Sequence, residues 1–251
     1  MATETKPTLI RSVARASRIL LHLARQGDPA TAKETAAALD MHIATTYHLL
    51  NTLVAEGLVT KDAGRRYGLG PRVGELSDAF DRQLAPPEIL LVGLRRLAQD
   101  CGETSYLSAW RQGEISVLAS IEGSHAVRVG VLHRGMRGDA HARASGKLLL
   151  AHATAEARDA YFAKHPIRSV TPHTIVDLDD LNAEFQRIRD RGYSTDDGEF
   201  AEGVACASAP VMSNGQVTAA FTVSAPTGRF AETQDDLIEK LVQAAKAAST
   251  Q

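Results

Sequence analysis

A chain of 251 residues, 44% apolar and 23% charged, has the balance of a folded globular protein with one large domain or two modest ones. No window holds the ~20 uninterrupted apolar residues of a membrane span, Met1–Pro7 lacks the apolar core of a secretory signal, and two cysteines suit a reducing cytoplasm rather than a disulfide framework. The formal charge of −2 is uneven: residues 1–75 carry ten Lys/Arg against seven Asp/Glu and the rest eighteen against twenty-three, so a polyanion would meet the N-terminal part.

Residues 10–25 place Val13, Ala16, Ile19, Leu20 and Leu23 at helical spacing, with four arginines on other faces, and Gly27-Asp28-Pro29 ends this helix. Thr31 and Glu34 fit a capping box that opens a short second helix. Asp40 is expected to cap a third helix of about four turns, ending at Glu56-Gly57. Thr46, Leu49, Leu50 and Leu53 share its inner stripe, which leaves Ala44, Thr45, Tyr47, His48 and Asn51 outward. Two β-prone runs, Leu58–Thr60 and Tyr67–Leu69, flank a hairpin turn at Asp62-Ala-Gly64 with Lys61, Arg65 and Arg66 around it. Three helices followed by a basic hairpin is the order of a winged helix-turn-helix.

Val73, Leu76, Phe80 and Leu84 then predict a linker helix, broken by Ala85-Pro86-Pro87. A helix over Glu88–Gln99 opens the second domain. Strands are predicted at Thr104–Trp110, Glu114–Ile121 and Ala126–Val131, and helices at Gly146–His152, Ala155–Ala163 and Leu178–Arg191. Strands Ala205–Val211 and Val217–Val223 flank the turn Ser213-Asn-Gly215, and a last helix runs from Glu232 to about Ala248. The fold expected is α+β, with a DNA-binding domain at 1–70, a linker helix at 71–86 and an antiparallel-sheet domain at 87–251.

In a helix-turn-helix the second helix lays its outward side chains against base edges in the major groove, and a basic hairpin adds phosphate contacts. The candidate DNA-contacting residues are Thr31 and Lys33 on the second helix; His42, Ile43, Ala44, Thr45, Tyr47, His48 and Asn51 on the third; and Lys61, Arg65 and Arg66 on the hairpin. A three-helix bundle with a hairpin and no DNA role fits the same periodicity.

Other motifs dissolve on inspection. Gly68-Leu-Gly70 lacks a third glycine at the dinucleotide spacing, and Gly146-Lys147 lacks the first glycine and the Ser/Thr of a phosphate loop. No nucleophile elbow occurs, and the histidine spacings match no zinc pattern, so no metal and no cofactor are assigned. In the second domain, His141–Lys147 enters a helix whose amides can bind an anion, Cys206 lies on a strand, and Thr222 and Ser224 share a strand face. Together with Asp196 these suit a small carboxylate ligand. A Cys206–His141–Asp196 catalytic set would instead make this an enzyme acting on a small acid, with the N-terminal part serving dimerisation. A buried, inert Cys206 is the plainer reading, and no catalytic residue is assigned.

The segments Ile10–Leu20, Tyr47–Leu53, Glu56–Val59, Tyr67–Gly70, His141-Ala142, Gly146-Lys147, Arg191–Tyr193 and Gly203–Pro210, in this order and spacing, resemble the IclR family of bacterial transcription regulators across nearly the whole chain. The resemblance implies a winged helix-turn-helix, a linker helix and a GAF-like effector-binding domain. It also implies a homodimer or dimer of dimers on palindromic double-stranded DNA, acting as a repressor relieved or strengthened by a small organic acid. The effector pocket it implies comprises Ala144, Ser145, Gly146, Asp196, Val204, Cys206, Thr222 and Ser224, with Val127 and Val129 as apolar lining. Two departures stand out. The recognition helix has His48 where the family commonly has Arg, and Gly138-Asp139-Ala140 replaces an apolar lead into the His141 loop, which implies a more polar pocket mouth.

Overall fold

The computed structural model describes residues 9–130 and 132–250, so the reading of Met1–Pro7 and the end of the expected strand at Val131 lie outside the described residues. The chain divides into two compact units, one up to Gln83 and one from Leu84.

The first unit comprises α1 (Arg11–Gln26), β1 (Ala30–Thr31), α2 (Ala32–Ala38), α3 (Ile43–Ala55), β2 (Val59–Lys61) and β3 (Arg66–Leu69), followed by α4 (Arg72–Leu84). Ile19 and Leu23 of α1 meet Leu50 and Leu53 of α3, Val59 and Tyr67 in one buried core, as the 3.6-residue spacing requires. The capping box is present: the Thr31 hydroxyl accepts the Glu34 amide at 3.2 Å and the Glu34 carboxylate accepts the Thr31 amide at 2.7 Å. Asp40, in contrast, does not cap α3. The Met41 amide donates to Ala36 at 2.9 Å and closes α2, which leaves Asp40 in the turn with φ +50° and makes His42 the residue before the helix. The short strand β1 was not expected. It pairs with β3 and gives a three-stranded sheet of order β1-β3-β2.

The second unit comprises α5 (Glu88–Cys101), β4 (Thr104–Arg111), β5 (Glu114–Ile121), a 3-10 turn at Ala140–Ala142, α6 (Ala144–Ala151), α7 (Ala155–Lys164), α8 (Leu178–Arg191), β6 (Ser194–Asp197), β7 (Val204–Ser213), β8 (Gln216–Pro226) and α9 (Thr227–Ala248). The sheet is antiparallel throughout, in the order β5-β4-β8-β7-β6. Asn214 and Gly215 both take left-handed φ in the two-residue turn between β7 and β8, as an Asn-Gly hairpin demands. The last helix begins at Thr227, five residues before the expected start, and β6 was not foreseen.

The expected strand at Ala126–Val131 is absent over its described residues, 126–130. Side chains take up its carbonyls instead of a neighbouring strand: Arg229 donates to Val127 at 2.9 Å and Thr104 to Val129 at 2.5 Å. The edge of β5 is met further along the chain, where Val117 exchanges backbone bonds with Gly135 and Met136.

The two faces of this sheet differ in chemistry. Leu107, Ala109, Ala205, Ala207, Ala209, Phe221 and Val223 pack against Leu94 and Leu97 of α5 and Leu237 and Leu241 of α9. The cross-strand register places Thr104, Tyr106 and Ser108 beside Ser224, Thr222, Cys206 and Ser208, with Asp196 and Ser194 next in line, on the opposite face. That face is buried and largely polar, and α6 lies across it. Among the described residues no helix is long and apolar enough to cross a membrane.

Candidate DNA interface and effector cavity

In the first unit, α2 and α3 form a helix-turn-helix whose turn is held to α1 by a bond from Arg18 to the Leu39 carbonyl at 3.0 Å. Thr46, Leu50 and Leu53 face the core, while Ile43, Ala44, Tyr47, His48 and Asn51 are exposed and Thr45 is half-buried. Helix α3 contains no Asp or Glu, so nothing on it repels a phosphate backbone. His42 precedes the helix and is exposed; Lys33 lies on α2, also exposed. Thr31 has another use, since its hydroxyl is the α2 cap.

The hairpin carries its three cations in different states. Arg65 sits at the tip with the left-handed φ of +59°. Lys61 stacks over the Tyr67 ring at 5.4 Å. Arg66 is turned back: its Nε donates to the Pro29 carbonyl at 2.8 Å and its guanidinium lies 3.5 Å from Glu34. It straps β3 to the start of α2 and is the least available of the three.

In the second unit a cavity of about 70 Å³ opens on the polar sheet face. It is lined by Thr104, Tyr106, Val129, Gly130, Leu132, Arg143, Asp196, Phe200, Ala201, Val204, Cys206 and Ser224. Of the residues the resemblance implied, Val129, Asp196, Val204, Cys206 and Ser224 therefore converge there. Val127 does not, being 72% exposed on the loop. Thr222 is buried one register step further along, donating to Ser208 at 2.9 Å. Ala144, Ser145 and Gly146 are buried at the start of α6 but outside the lining. A Cβ on Gly146 would stand 2.2 Å from the Ala140 carbonyl oxygen, so this glycine lets the 3-10 turn press against the helix. The helix end offered for an anion is thus covered by its own chain.

Charges inside this face are few and mostly paired. Lys147, fully buried on α6, is bonded to Glu199. The Asp196 carboxylate accepts the amides of Glu199 at 2.7 Å and Phe200 at 3.3 Å. Burial nevertheless pushes its pKa up to about 7, aided by the Glu199 charge and opposed by Lys147 and the two amides. The Cys206 thiol, 2.9 Å from the Ser224 hydroxyl, is pushed up to about 12 by burial and by Asp196. Arg143, which the sequence reading passed over, is 1% exposed and lines the cavity; its long side chain and place before a helix gave no sign that it would turn inward.

The Cys206–His141–Asp196 alternative does not assemble. Nε2 of His141 is bonded to the Arg168 carbonyl at 2.8 Å, the ring does not line the cavity, and a thiol titrating near 12 is not a nucleophile at neutral pH. Among the described residues no group of three or more His, Cys, Asp or Glu side chains is placed to hold a metal.

Comparison with known proteins matches both units. The IclR helix-turn-helix domain matches residues 12–63, and the bacterial transcriptional regulator IclR C-terminal domain matches residues 88–250. SauR of Cupriavidus necator is 31% identical over 226 residues, covering 89% of this chain and 88% of that one. The HTH-type transcriptional regulator BhcR of Paracoccus denitrificans is 30% identical over 240 residues, covering 94% and 85%. A crystal structure of a Rhodococcus sp. RHA1 regulator superposes with a TM-score of 0.77 at 30% identity, covering 96% and 97%. An IclR homologue from Microbacterium hydrocarbonoxydans, solved with 4-hydroxybenzoate, shares the fold at a TM-score of 0.74 and 24% identity, covering 95% and 97%. A helix-turn-helix with a small sheet, followed by a five-stranded antiparallel effector domain, is the architecture of these regulators, and the chain belongs to the IclR family of DNA-binding transcriptional regulators rather than to an enzyme family.

Proposed function

We propose that the protein is a repressor of the cytoplasm that binds a palindromic operator as a homodimer or dimer of dimers, and that a small organic acid bound in the second unit changes its hold on DNA. The observation that carries the reading is the cavity on the polar sheet face, where a buried cation, hydroxyls and apolar side chains surround a space suited to a small carboxylate. Exposed, acid-free α3 and the hairpin cations Lys61 and Arg65 support DNA contact. Exposed Val13 and Leu21 on α1, with Ile10 just before it, support pairing of two copies. A fold relative holds an aromatic monocarboxylate, and a cavity of about 70 Å³ suits a smaller acid.

The test is a mobility shift of the DNA upstream of the protein's own gene, titrated with candidate acids from neighbouring metabolic genes. An acid that changes operator affinity at least ten-fold while leaving non-specific DNA binding unaltered supports the reading. A shift indifferent to every acid that binds the protein overturns it.

A further inference from the structure

The cavity contains an unbalanced charge. Arg143 precedes α6 at the end of the 3-10 turn, and its guanidinium, permanently charged, is 1% exposed. Among the described residues its one hydrogen bond is a long contact from Nη2 to the Ile115 carbonyl, 3.4 Å. Nε and Nη1 have no hydrogen-bond partner among them.

The nearby carboxylates do not serve it. Asp196 turns Oδ1 to the amides of Glu199 and Phe200, and the cation that most favours its ionised form is Lys147. Glu199 is bonded to Lys147. Next to Arg143 lie two phenols, Tyr106 and Tyr161, whose protons burial retains and on which the arginine charge acts in the opposite sense. A buried guanidinium with open donors at Nε and Nη1 matches the oxygens of a carboxylate, and Nη2, which carries two N–H bonds and directs one at Ile115, can complete a fork with either of them. Left alone it is a destabilising group, which is the mark of a residue kept for a ligand rather than for the fold.

The other wall of the cavity has the opposite preference. Asp196 resists ionisation, and Cys206 and Ser224 are bonded to each other with lone pairs and protons to share. A neutral hydroxyl or carbonyl is accommodated. At about 70 Å³ the space suits a small acid and is far below that of a drug-sized ligand.

Resting on the effector reading given above, we infer that Arg143 is the carboxylate anchor of this site and that the ligand class it selects is a monocarboxylic acid of two to five carbons bearing a hydroxyl or carbonyl.

The test uses the full-length protein and calorimetric titration with a panel of hydroxy- and oxo-monocarboxylates of two to five carbons and their primary amides. At least one monocarboxylate binds, and its amide binds at least thirty-fold more weakly. Arg143→Met abolishes that binding, Arg143→Lys retains a weakened form of it, and Arg143→Met in the absence of ligand unfolds at a temperature equal to or above wild type. A scaffold role predicts the reverse for the last measurement. Should the substitution prevent folding, the 15Nε–1H resonance of Arg143 in the wild-type protein, identified by its absence from Arg143→Lys, must move on adding acid and stay still on adding amide. If an acid binds but its amide binds equally, or Arg143→Met binds like wild type or melts well below it, the anchor is overturned while the effector reading stands. If no acid in the panel binds the wild-type protein, the monocarboxylate class fails with the anchor. If larger acids such as 4-hydroxybenzoate are silent too, the effector reading fails as well.

Discussion

The Cys206 sulfur lies 2.9 Å from the Ser224 hydroxyl oxygen, across the pair of strands that runs through the middle of the effector sheet. The contact fixes both groups at the cavity wall, and burial keeps the thiol protonated at any physiological pH. Ser224→Ala removes one hydrogen-bonding group from the wall and should weaken ligand binding by about 1–3 kcal/mol, read by calorimetry, without altering DNA affinity of the unliganded protein. The same geometry makes Cys206 inert. Native protein treated with a thiol reagent at pH 8 should leave Cys206 unmodified until denaturant is added; rapid labelling of Cys206 in the folded state would contradict the burial described.

Asp196 gives stability a pH dependence of defined sign. Its native carboxyl titrates near 7, against 3.8 when unperturbed. Between those values the folded chain holds a proton that the unfolded chain has released, so this group's contribution is fully present below about pH 4 and is lost as pH rises through 7. Asp196→Asn removes the loss. Denaturant titrations should show the variant gaining on wild type from pH 4 to 7 by up to on the order of 4 kcal/mol, and a constant difference above that. A difference independent of pH would place Asp196 in water.

Lys147 and Glu199 form a buried ion pair in this unit, on α6 and on the loop after β6. Breaking it from one side leaves a charge in the interior. Glu199→Gln should cost about 3–5 kcal/mol, whereas the double change Lys147→Met with Glu199→Leu should cost much less, because both charges go together. Thermal unfolding of the three proteins checks the order. A single variant as stable as wild type would show that water reaches Lys147.

The hairpin arginines should separate in their salt dependence. Arg65 stands at the tip, and Arg65→Ala should lower the slope of log affinity against log salt by about one, equally for all DNA sequences. Arg66 is engaged with Pro29 and Glu34, so Arg66→Ala should chiefly loosen the small sheet and lower the unfolding temperature of the first unit. Equal slopes for Arg65→Ala and wild type would turn the tip away from DNA.

On α3, Tyr47 and Asn51 point outward, and Asn51→Ala should relax preference at one or two base pairs per half-site at a cost of about 1–3 kcal/mol there. Competition with single-base operator variants reads this. Uniform weakening across the variants would make Asn51 a backbone contact.

Local signals carried much of this fold into the sequence. The capping box at Thr31 and Glu34, the Asn214-Gly215 turn and the spacing of Ile19, Leu23, Leu50 and Leu53 each rest on neighbours within a few residues or on a single helical period. What was misread depends on distant partners. Val127, Arg128 and Val129 alternate like a strand, yet Arg229 and Thr104, far apart in the chain, donate to the carbonyls of Val127 and Val129. Asp40 is a good capping residue, but the bond from Met41 to Ala36 moved the helix start past it. Arg143 stood between small residues in a segment read for its amides, and only the sheet beneath α6 shows that it lies inside.

Sequence-specific DNA binding is expected of α3 and the hairpin together. Fluorescence anisotropy of the full-length protein on a labelled duplex from its own upstream region, against a duplex of the same composition in scrambled order, tests it at physiological salt. Affinity for the native duplex should be at least about 10³-fold tighter and should fall steeply as salt is raised. Equal affinity for both duplexes, at any salt concentration, would contradict it.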